Sequence, residues 1–361
     1  MKTRVAITKT NQGIENAVKR AINLLGGINQ FIDPGETVLL KPNLFNTKPP
    51  ETGCTTDLRI VIKIAEMLKN QGNSIILGEC PATASYTRPE RVYEAHNVEE
   101  ICGEAEIEVR VLDRDHPVGR RTNGEIQSTF HFPETATKHP VINIPKLKTH
   151  ALTTLTCAVK NLFGLQQGGI KAHHHVSVGN DPQAFSHLLL DLYQAIKPQI
   201  RLNIVDAHIA MEGEGPGGGT PVPMGLIIAG EDAVAVDLVA SALMGWDPQK
   251  EVGTNHLARA RGIGPSSLED IQILGEPIEK VTRVFKKPQI HSDGETFVKI
   301  RMPIHCDEDL CKACGVCEKI CPAGAITVQD TPIFNMEECI QCFCCVELCP
   351  HNALKAKRPD E

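Results

Sequence analysis

The sequence predicts an α/β protein in which a largely parallel, layered sheet domain is followed by a much smaller second domain. Strand-like and helix-like patterns alternate along the first 275 of the 361 residues. Aromatic residues make up only 4%, which indicates a core of Val, Ile and Leu such as buried parallel strands have. Ten of the 14 cysteines lie at or after Cys306, so the C-terminal segment differs in chemistry from the rest.

The first part of the α/β domain begins with a strand and then a helix. Residues 4–8 alternate as a strand does, and apolar residues over 14–25 follow helical spacing until two glycines stop the helix. A turn then leads into an apolar strand at 37–40. The next helix is predicted over about 56–70, with its following strand at 74–77.

The second part continues this alternation with short apolar runs that are bounded by turn residues. Strands that lie between helices in this way form parallel sheets. Residues 1–275 therefore form the α/β domain, 276–302 a connector rich in Lys and Arg, and 303–361 the small domain. The remaining strands are expected at 107–112, 141–144, 202–205 and 226–229, and the remaining helices at 184–196 and 233–244.

Cysteine spacing predicts iron–sulfur sites in the small domain. Two runs have the pattern C-x-x-C-x-x-C-x-x-x-C-P. Three closely spaced thiolates can wrap one face of a cubane, while the fourth cysteine of each run ligates the other cluster. Structural zinc is the alternative, but it needs only four ligands and does not explain two such runs. One cluster is thus assigned to Cys311, Cys314, Cys317 and Cys349, and the other to Cys339, Cys342, Cys345 and Cys321.

These two runs resemble those of bacterial-type two-cluster ferredoxins over about residues 303–354, and every ligand position is filled. The resemblance implies a pseudo-symmetric α+β, ferredoxin-like fold with two [4Fe–4S] clusters that transfer electrons. As partner we expect a low-potential electron donor or acceptor protein. Cys306 and Cys344 lie outside the pattern, and we interpret both as thiols that do not bind the clusters.

Charge and composition exclude several other classes of protein. The net charge is −7, and ten acidic against five basic residues after position 302 account for −5 of it. A nucleic-acid-binding protein would normally carry a basic surplus. The N-terminus lacks the apolar core of a signal peptide, and charged or polar residues interrupt every long apolar run. We therefore expect a cytoplasmic protein that binds neither nucleic acid nor membranes.

Polar residues follow several predicted strands at their carboxyl ends, where open α/β sheets bind ligands. Lysines in these positions suit an anionic small molecule, because they supply point charges for a carboxylate or phosphate. We expect catalytic roles for Lys146, Lys148, His150 and Glu212, and substrate binding by Lys41, Asn43, Lys160, Asn161 and Asp206.

Two further motifs are less specific. The stretch EGEGPGGG contains G-x-G-x-x-G but leads into a strand rather than a helix, which excludes a dinucleotide site. We expect a flexible loop there, either a lid or a simple connection. Metal binding by the three consecutive residues His173, His174 and His175 is disfavoured, because adjacent side chains point in different directions.

The α/β domain also resembles the family called domain of unknown function 362, whose members often carry a ferredoxin-like tail. The resemblance rests on KPNL, IPKLKTHALTTLTCAVKNLFG, DAHIAMEGEGPGGG and GEDAVAVDLVASALMG and covers roughly residues 35–250. It implies an α/β domain that accompanies iron–sulfur clusters and implies no particular reaction.

The leading functional hypothesis is an iron–sulfur oxidoreductase that passes single electrons through its clusters to an anionic substrate or cofactor at the strand ends. One alternative is a non-enzymatic electron carrier or cofactor-maturation partner whose α/β domain docks another protein. Another is an enzyme whose clusters are purely structural. The sequence leaves open a flavin or other organic cofactor, for which it contains no motif.

Overall fold

The computed structural model describes residues 2–81, 88–179, 181–289 and 303–356. Within these ranges the large domain has twelve strands, of which ten form one sheet and β5 and β6 form a separate hairpin. In chain order they are β1 (Thr3–Lys9), β2 (Thr37–Pro42), β3 (Ser74–Glu79), β4 (Glu108–Val111), β5 (Pro117–Arg121), β6 (Thr129–Pro133), β7 (Val141–Ile144), β8 (Lys146–His150), β9 (Thr154–Thr156), β10 (Ile200–Glu212), β11 (Thr220–Gly230) and β12 (Ile271–Gly275).

The sheet is largely parallel, which confirms the predicted fold class. Its order is β12-β1-β11-β10-β7-β2-β3-β4, and β8 and β9 lie off this path beside β10. Along the main path only β11 runs antiparallel to its neighbours, β1 and β10. The carboxyl ends of β2, β3 and β7 therefore meet at one edge of the sheet, where the hairpin β8–β9 extends it.

Helices cover both faces of this sheet. Because successive strand residues point to opposite faces, Val5 and Ile7 pack in one core cluster while Ala6 packs in the other. Across the described residues, every helix is too short or too polar to span a bilayer. The helices of the large domain are α1 (Ile14–Leu24), α2 (Leu58–Lys69), α3 (Glu90–Ala95), α4 (Val98–Glu104), α5 (Glu134–Lys138), α6 (Ala158–Asn161), α7 (Ile170–Ser177), α8 (Pro182–Ile196), α9 (Ala233–Leu243), α10 (Gly253–Ala260) and α11 (Ile278–Val281).

Two predicted strands, 202–205 and 226–229, are much longer in the structure. They correspond to β10 and β11, which form a long hairpin that extends as far as the Glu212–Thr220 pair. A register shift between Ala207 and Ile209 lets the hairpin continue past the rest of the sheet. The loop expected at the stretch EGEGPGGG occupies residues 213–219, and the chain between Asp206 and Glu212 is strand β10.

The C-terminal domain is built from two copies of one unit, spaced by 28 residues. Each strand or helix of the first copy has a counterpart 28 residues later: β13 in β15, α12 in α13, and β14 in β16. The copies interlock, because β13 pairs with β16 and β14 pairs with β15. The elements are β13 (Ile304–Cys306), α12 (Val316–Lys319), β14 (Ile326–Val328), β15 (Pro332–Phe334), α13 (Cys344–Glu347) and β16 (Leu354–Ala356).

The first part of the connector packs against the large domain. Phe285 is buried, its N–H donates to the Met244 carbonyl at 3.0 Å, and the Trp246 indole N–H donates to the Phe285 carbonyl at 3.2 Å. The predicted connector residues 290–302, including Lys299 and Arg301, lie outside the described residues.

Candidate functional site

Four cysteines drawn from both runs line one small cavity in the C-terminal domain. They are Cys311, Cys314 and Cys317 of the first run and Cys349 of the second, as the spacing predicts for one cluster. Burial, with Cys314 and Cys349 nearby, raises the pKa of the Cys317 thiol to about 11. The Ala353 N–H donates to Cys349 Sγ at 3.3 Å. These four thiols and this cavity fit a [4Fe–4S] cluster.

The other predicted set is also brought together. Burial raises the pKa of the Cys345 thiol, and the neighbouring Cys342, Cys339 and Cys321 raise it further. The Ala325 N–H donates to Cys321 Sγ at 3.2 Å, and this contact is the 28-residue counterpart of the Ala353 bond to Cys349. A second set of four thiols with a matching N–H donor therefore exists.

Backbone conformation shows why the cysteine loops close on themselves. Two positions in each run and a third two residues after it have positive φ, and the positions correspond between the runs. Because side chains disfavour this region, residues other than glycine adopt it only where the surroundings enforce it. Both loops therefore wrap tightly around their own thiols. The corresponding pairs are Ala313 (45°) and Gln341 (60°), Gly315 (72°) and Phe343 (54°), and Gly324 (64°) and Asn352 (53°).

The two cysteine sets differ in their exposure. Cys314 is exposed, whereas Cys342, its counterpart in the second run, is 8% exposed. Phe45 of the large domain packs against the cluster of residues that contains Cys342, Cys344 and Leu348. The first set thus includes a solvent-exposed thiol, while the second lies against the large domain.

A lysine also joins the two domains at this contact. Lys48 Nζ donates to the side-chain oxygen of Asn352 and, at 2.6 Å, to the carbonyl of Gly217 in the glycine-rich loop. Asn352 follows the cluster cysteine Cys349 by three residues. The contact therefore connects a cysteine loop to the glycine-rich loop.

The contact between the domains contains a partly open cavity at the carboxyl ends of β2 and β3. Cys344 and Leu348, in and just after α13, form part of its wall. Five of the nine residues predicted for substrate binding or catalysis also line it, namely Asn43, Lys148, His150, Lys160 and Asn161.

Lys148 is held firmly in this cavity. Its ammonium donates to Asn43 Oδ1 at 3.0 Å and to the Cys54 carbonyl at 2.6 Å, and it lies 4.4 Å from the centre of the Phe45 ring. These contacts fix the Lys148 ammonium at one wall of the cavity.

A row of four asparagines extends from Lys148 into the sheet. Asn43 donates to Asn161, Asn161 to Asn143, and Asn143 to Asn203, each at 2.8 Å. Asn203 in turn donates to the backbone carbonyls of residues 230 and 231 at 3.2 and 3.0 Å. Asn161 therefore holds Asn43, and through it Lys148, in position.

Lys41 and Glu79 form a buried pair behind the cavity wall. Lys41 Nζ lies 2.6 Å from Glu79 Oε2, and burial lowers the pKa of the lysine and raises the pKa of the carboxyl. Glu79 lines the cavity, whereas Lys41 is not among the residues that line it. A methyl group added at Gly164 would collide with Glu79 Oε1, so only glycine lets the backbone cross here.

Besides Lys41, three other predicted residues lie outside the lining of this cavity. Lys146 Nζ is 2.8 Å from Asp206 Oδ2 in a buried ion pair. Glu212 Oε2 accepts the Lys286 backbone N–H at 2.9 Å, which fastens the connector to the end of β10. Lys146 and Asp206 thus pair with each other, and Glu212 holds the connector. In the catalytic and substrate-binding roles predicted for them, these side chains would have to contact the ligand.

The strand-end rule also missed residues that line the cavity. Lys171 belongs to α7, away from any strand end, and its ammonium donates to the carbonyls of Cys80 (2.5 Å) and Pro81 (2.6 Å). Thr156 lies directly opposite Lys148 in the β8–β9 hairpin. The alternation of T-L-T at 154–156 was the one sequence signal that indicated a strand there.

The three consecutive histidines have separate environments, as the helical geometry predicts. His173 is exposed, and His175 lines the cavity and stacks on Phe185 with ring centres 4.6 Å apart. His174 is buried and its Nε2 lies 3.1 Å from Gln166 Oε1. Burial lowers the pKa of His174 to about 4, with a smaller effect of His173.

Because of this pKa, His174 is expected to make the fold less stable in mild acid. The unfolded chain takes up the proton near pH 6.5 and the folded chain only near pH 4, so stability is full above pH 6.5 and declines below it. Relative to His174→Gln, the wild type should lose about 2 kcal/mol between pH 7 and pH 5. Urea titrations at both pH values measure this, with His173→Gln as the exposed control. A wild type and His174→Gln with parallel pH profiles would contradict it.

Two sequence families match the chain. The model described as Domain of unknown function (DUF362) matches residues 38–242, and that described as 4Fe-4S binding domain matches residues 307–327. The thylakoid-associated protein sll1697 of Synechocystis sp. is 33% identical over 281 residues, covering 76% of this chain and 83% of that protein. A component of the ion-translocating oxidoreductase complex of Methanosarcina acetivorans is 42% identical over 48 residues, covering 13% of this chain and 18% of that protein. Both predicted resemblances are confirmed.

Proposed function

The chain belongs to the DUF362 family and carries a 4Fe-4S binding domain, and from this premise we propose an iron–sulfur oxidoreductase that acts on an anionic small molecule. The observation that carries the proposal is the composition of the cavity between the two domains. Cationic side chains of the large domain line it together with Cys344, which lies between two cysteines of the second run. A ligand there would be close to the second cysteine set.

Two [4Fe–4S] clusters are proposed, one for each set of four cysteines. When bound, such clusters accept and donate single electrons. The exposed Cys314 of the first set supports exchange with a partner protein at that side, and the buried Cys342 supports exchange with the cavity at the other. The partner would be a low-potential electron donor or acceptor protein.

Charge favours an anionic ligand. Lys148, Lys160 and Lys171 line the cavity, and the carboxylate of Glu79 is offset by Lys41 behind it. Lysine ammonium groups attract carboxylates and phosphates as point charges, and more strongly in a site from which water is excluded. The ligand is therefore held between these lysines and the α13 wall.

His150 is positioned to supply a proton. Its Nδ1 accepts the backbone N–H of Leu152 at 3.0 Å, so the neutral ring carries its proton on Nε2. Because His150 also lines the cavity, that proton can pass to a bound ligand that gains an electron.

The test begins with full-length protein purified without oxygen. Mass spectrometry of the released small molecules identifies ligands, which are then returned to the dithionite-reduced protein while visible absorbance follows reoxidation. We expect an anionic ligand to reoxidise the protein, and Lys148→Met with Lys160→Met to slow this at least tenfold. Lys250→Gln is the surface control, since the Lys250 side chain is 83% exposed.

Two results would contradict the proposal. If no ligand recovered from the protein reoxidises it while a redox partner protein does, the chain is a carrier and not an oxidoreductase. If dithionite does not reduce the clusters reversibly, they are structural.

A further inference from the structure

The two cysteine runs differ at two positions that lie beside their cysteines. Directly before the second cysteine, the first run has Ala313 and the second run has Gln341. Directly before the third cysteine, the first run has Val316 and the second run has Cys344. The side chains of alanine and valine have no polar atoms, whereas an amide and a thiol can both donate hydrogen bonds. Only the second run therefore has polar side chains at these equivalent positions.

In the second cysteine set both of these residues donate to a sulfur atom. Gln341 is buried, and its Nε2 donates to Cys339 Sγ at 3.5 Å. The thiol and the backbone N–H of Cys344 donate to the sulfur of Cys342. These bonds add to the backbone N–H bond that Cys321 accepts. A thiolate that binds iron has no hydrogen of its own, so it can only accept such bonds.

The first set is surrounded differently. Its side-chain donor is Cys306, whose thiol donates to Cys311 and is weaker than an amide. The first set also includes the exposed Cys314, where water can donate to the sulfur, whereas Cys342 is 8% exposed beneath the large domain. The second set thus has protein donors in the place where the first is open to water.

These donors matter because reduction adds negative charge to the sulfur atoms. Hydrogen bonds to the sulfurs of a [4Fe–4S] cluster favour the more negative, reduced form and so raise its reduction potential. Burial has the opposite effect, because it removes the water that would stabilise the added charge.

We propose that Gln341 and Cys344 raise the reduction potential of the second cluster and so keep it reducible although it is buried against the large domain. The inference rests on the proposed function in taking a [4Fe–4S] cluster at each cysteine set. Cys344 also lines the cavity between the domains, so the cluster that these two residues tune is the one beside the proposed ligand site.

Reductive titration of the full-length protein, followed by electron paramagnetic resonance, tests this inference. The variants Gln341→Ala and Cys344→Val, alone and combined, place the residues of the first run in the second. Ala313 and Val316 show that both residues fit these positions of the loop. The signal of the second cluster is the one that Cys349→Ser retains.

We expect less reduced second cluster in each variant at a fixed applied potential. Its ratio of reduced to oxidised form should fall about fivefold in Gln341→Ala, about threefold in Cys344→Val and at least about tenfold in the double variant. Iron assays identify the variants that retain both clusters, and either single variant that does so is sufficient for the test.

An exposed glutamine of the same domain provides the matched control. Gln329 lies in the turn between β14 and β15, so Gln329→Ala should leave the ratio of both clusters unchanged. Equal ratios in the wild type and the double variant, or an equal loss in Gln329→Ala and Gln341→Ala, would overturn the inference.

The outcomes also separate this inference from the proposed function. If the second cluster becomes harder to reduce in the variants but no ligand reoxidises the wild-type protein, the roles of Gln341 and Cys344 stand and the proposed electron transfer to a ligand fails. If a ligand reoxidises the wild type but the variants keep its reduction potential, the proposed function stands and this inference fails.

Discussion

Replacing Asp206 with alanine is expected to lower the free energy of unfolding by about 3–5 kcal/mol, because the change leaves a buried lysine without its counter-ion. Lys146 and Asp206 are 1% and 0% exposed, and their charged atoms are 2.8 Å apart. The Asp206 carboxylate also accepts the backbone N–H groups of Asp57 (2.8 Å) and His208 (3.0 Å). Its removal thus leaves three donors without this acceptor.

Urea denaturation followed by circular dichroism measures this effect. Glu134→Ala is the matched control, because it removes a carboxylate from an ion pair with Lys138 whose side chains are 37% and 61% exposed. Exposed pairs contribute at most about 1 kcal/mol. An Asp206→Ala protein that unfolds at the same urea concentration as Glu134→Ala would show that the buried pair does not stabilise the fold.

The second large effect concerns iron content. Cys349→Ser is expected to reduce bound iron from about eight to about four atoms per chain, because this cysteine completes the set that contains Cys311 and Cys317. Cys311→Ser should remove the same cluster and leave the same electron paramagnetic resonance spectrum. Cys321→Ser should remove the other cluster and leave a different spectrum. Iron and acid-labile sulfide assays measure the stoichiometry.

Cys344→Ser is the control for this experiment, since Cys344 lies in the second run but outside the ligand pattern. It should retain about eight iron atoms. Wild-type protein with only four iron atoms, or equal losses in Cys344→Ser and Cys349→Ser, would contradict the assignment of two clusters.

The cysteine sets were predictable because covalent spacing along the chain determines them. The spacing of two residues between cysteines determines the loop conformation independently of what the domain contacts. The 28-residue repeat provides the fourth cysteine of each set from the other run. The contact of the second copy with the large domain was not predictable. It depends on Phe45 and Leu348, which are 303 residues apart in sequence and have no local signal.

The strand-end rule found only part of the cavity for a geometric reason. Lys146 and Lys148 are two residues apart, yet β8 is paired with Asp206 at the first and with Met211 at the second. This register shift gives Lys146 a buried carboxylate as its partner and leaves Lys148 to the cavity. Hydrophobic patterns predict that strands exist, whereas such irregular pairing depends on the assembled sheet.

The row of asparagines makes the orientation of Asn43 at the cavity wall depend on Asn203, at the other end of the row. Backbone carbonyls only accept, so they fix the amide of Asn203 in one orientation. The side-chain amides of Asn143 and Asn161 must then have the same donor-to-acceptor orientation, and Asn43 presents its Oδ1 to Lys148. An ionised aspartate at any of the four positions would interrupt this row of hydrogen bonds, since its side chain has no N–H to donate. Substitutions of these asparagines in the middle of the sheet are therefore constrained by the hydrogen bond between Asn43 and Lys148 at the cavity wall.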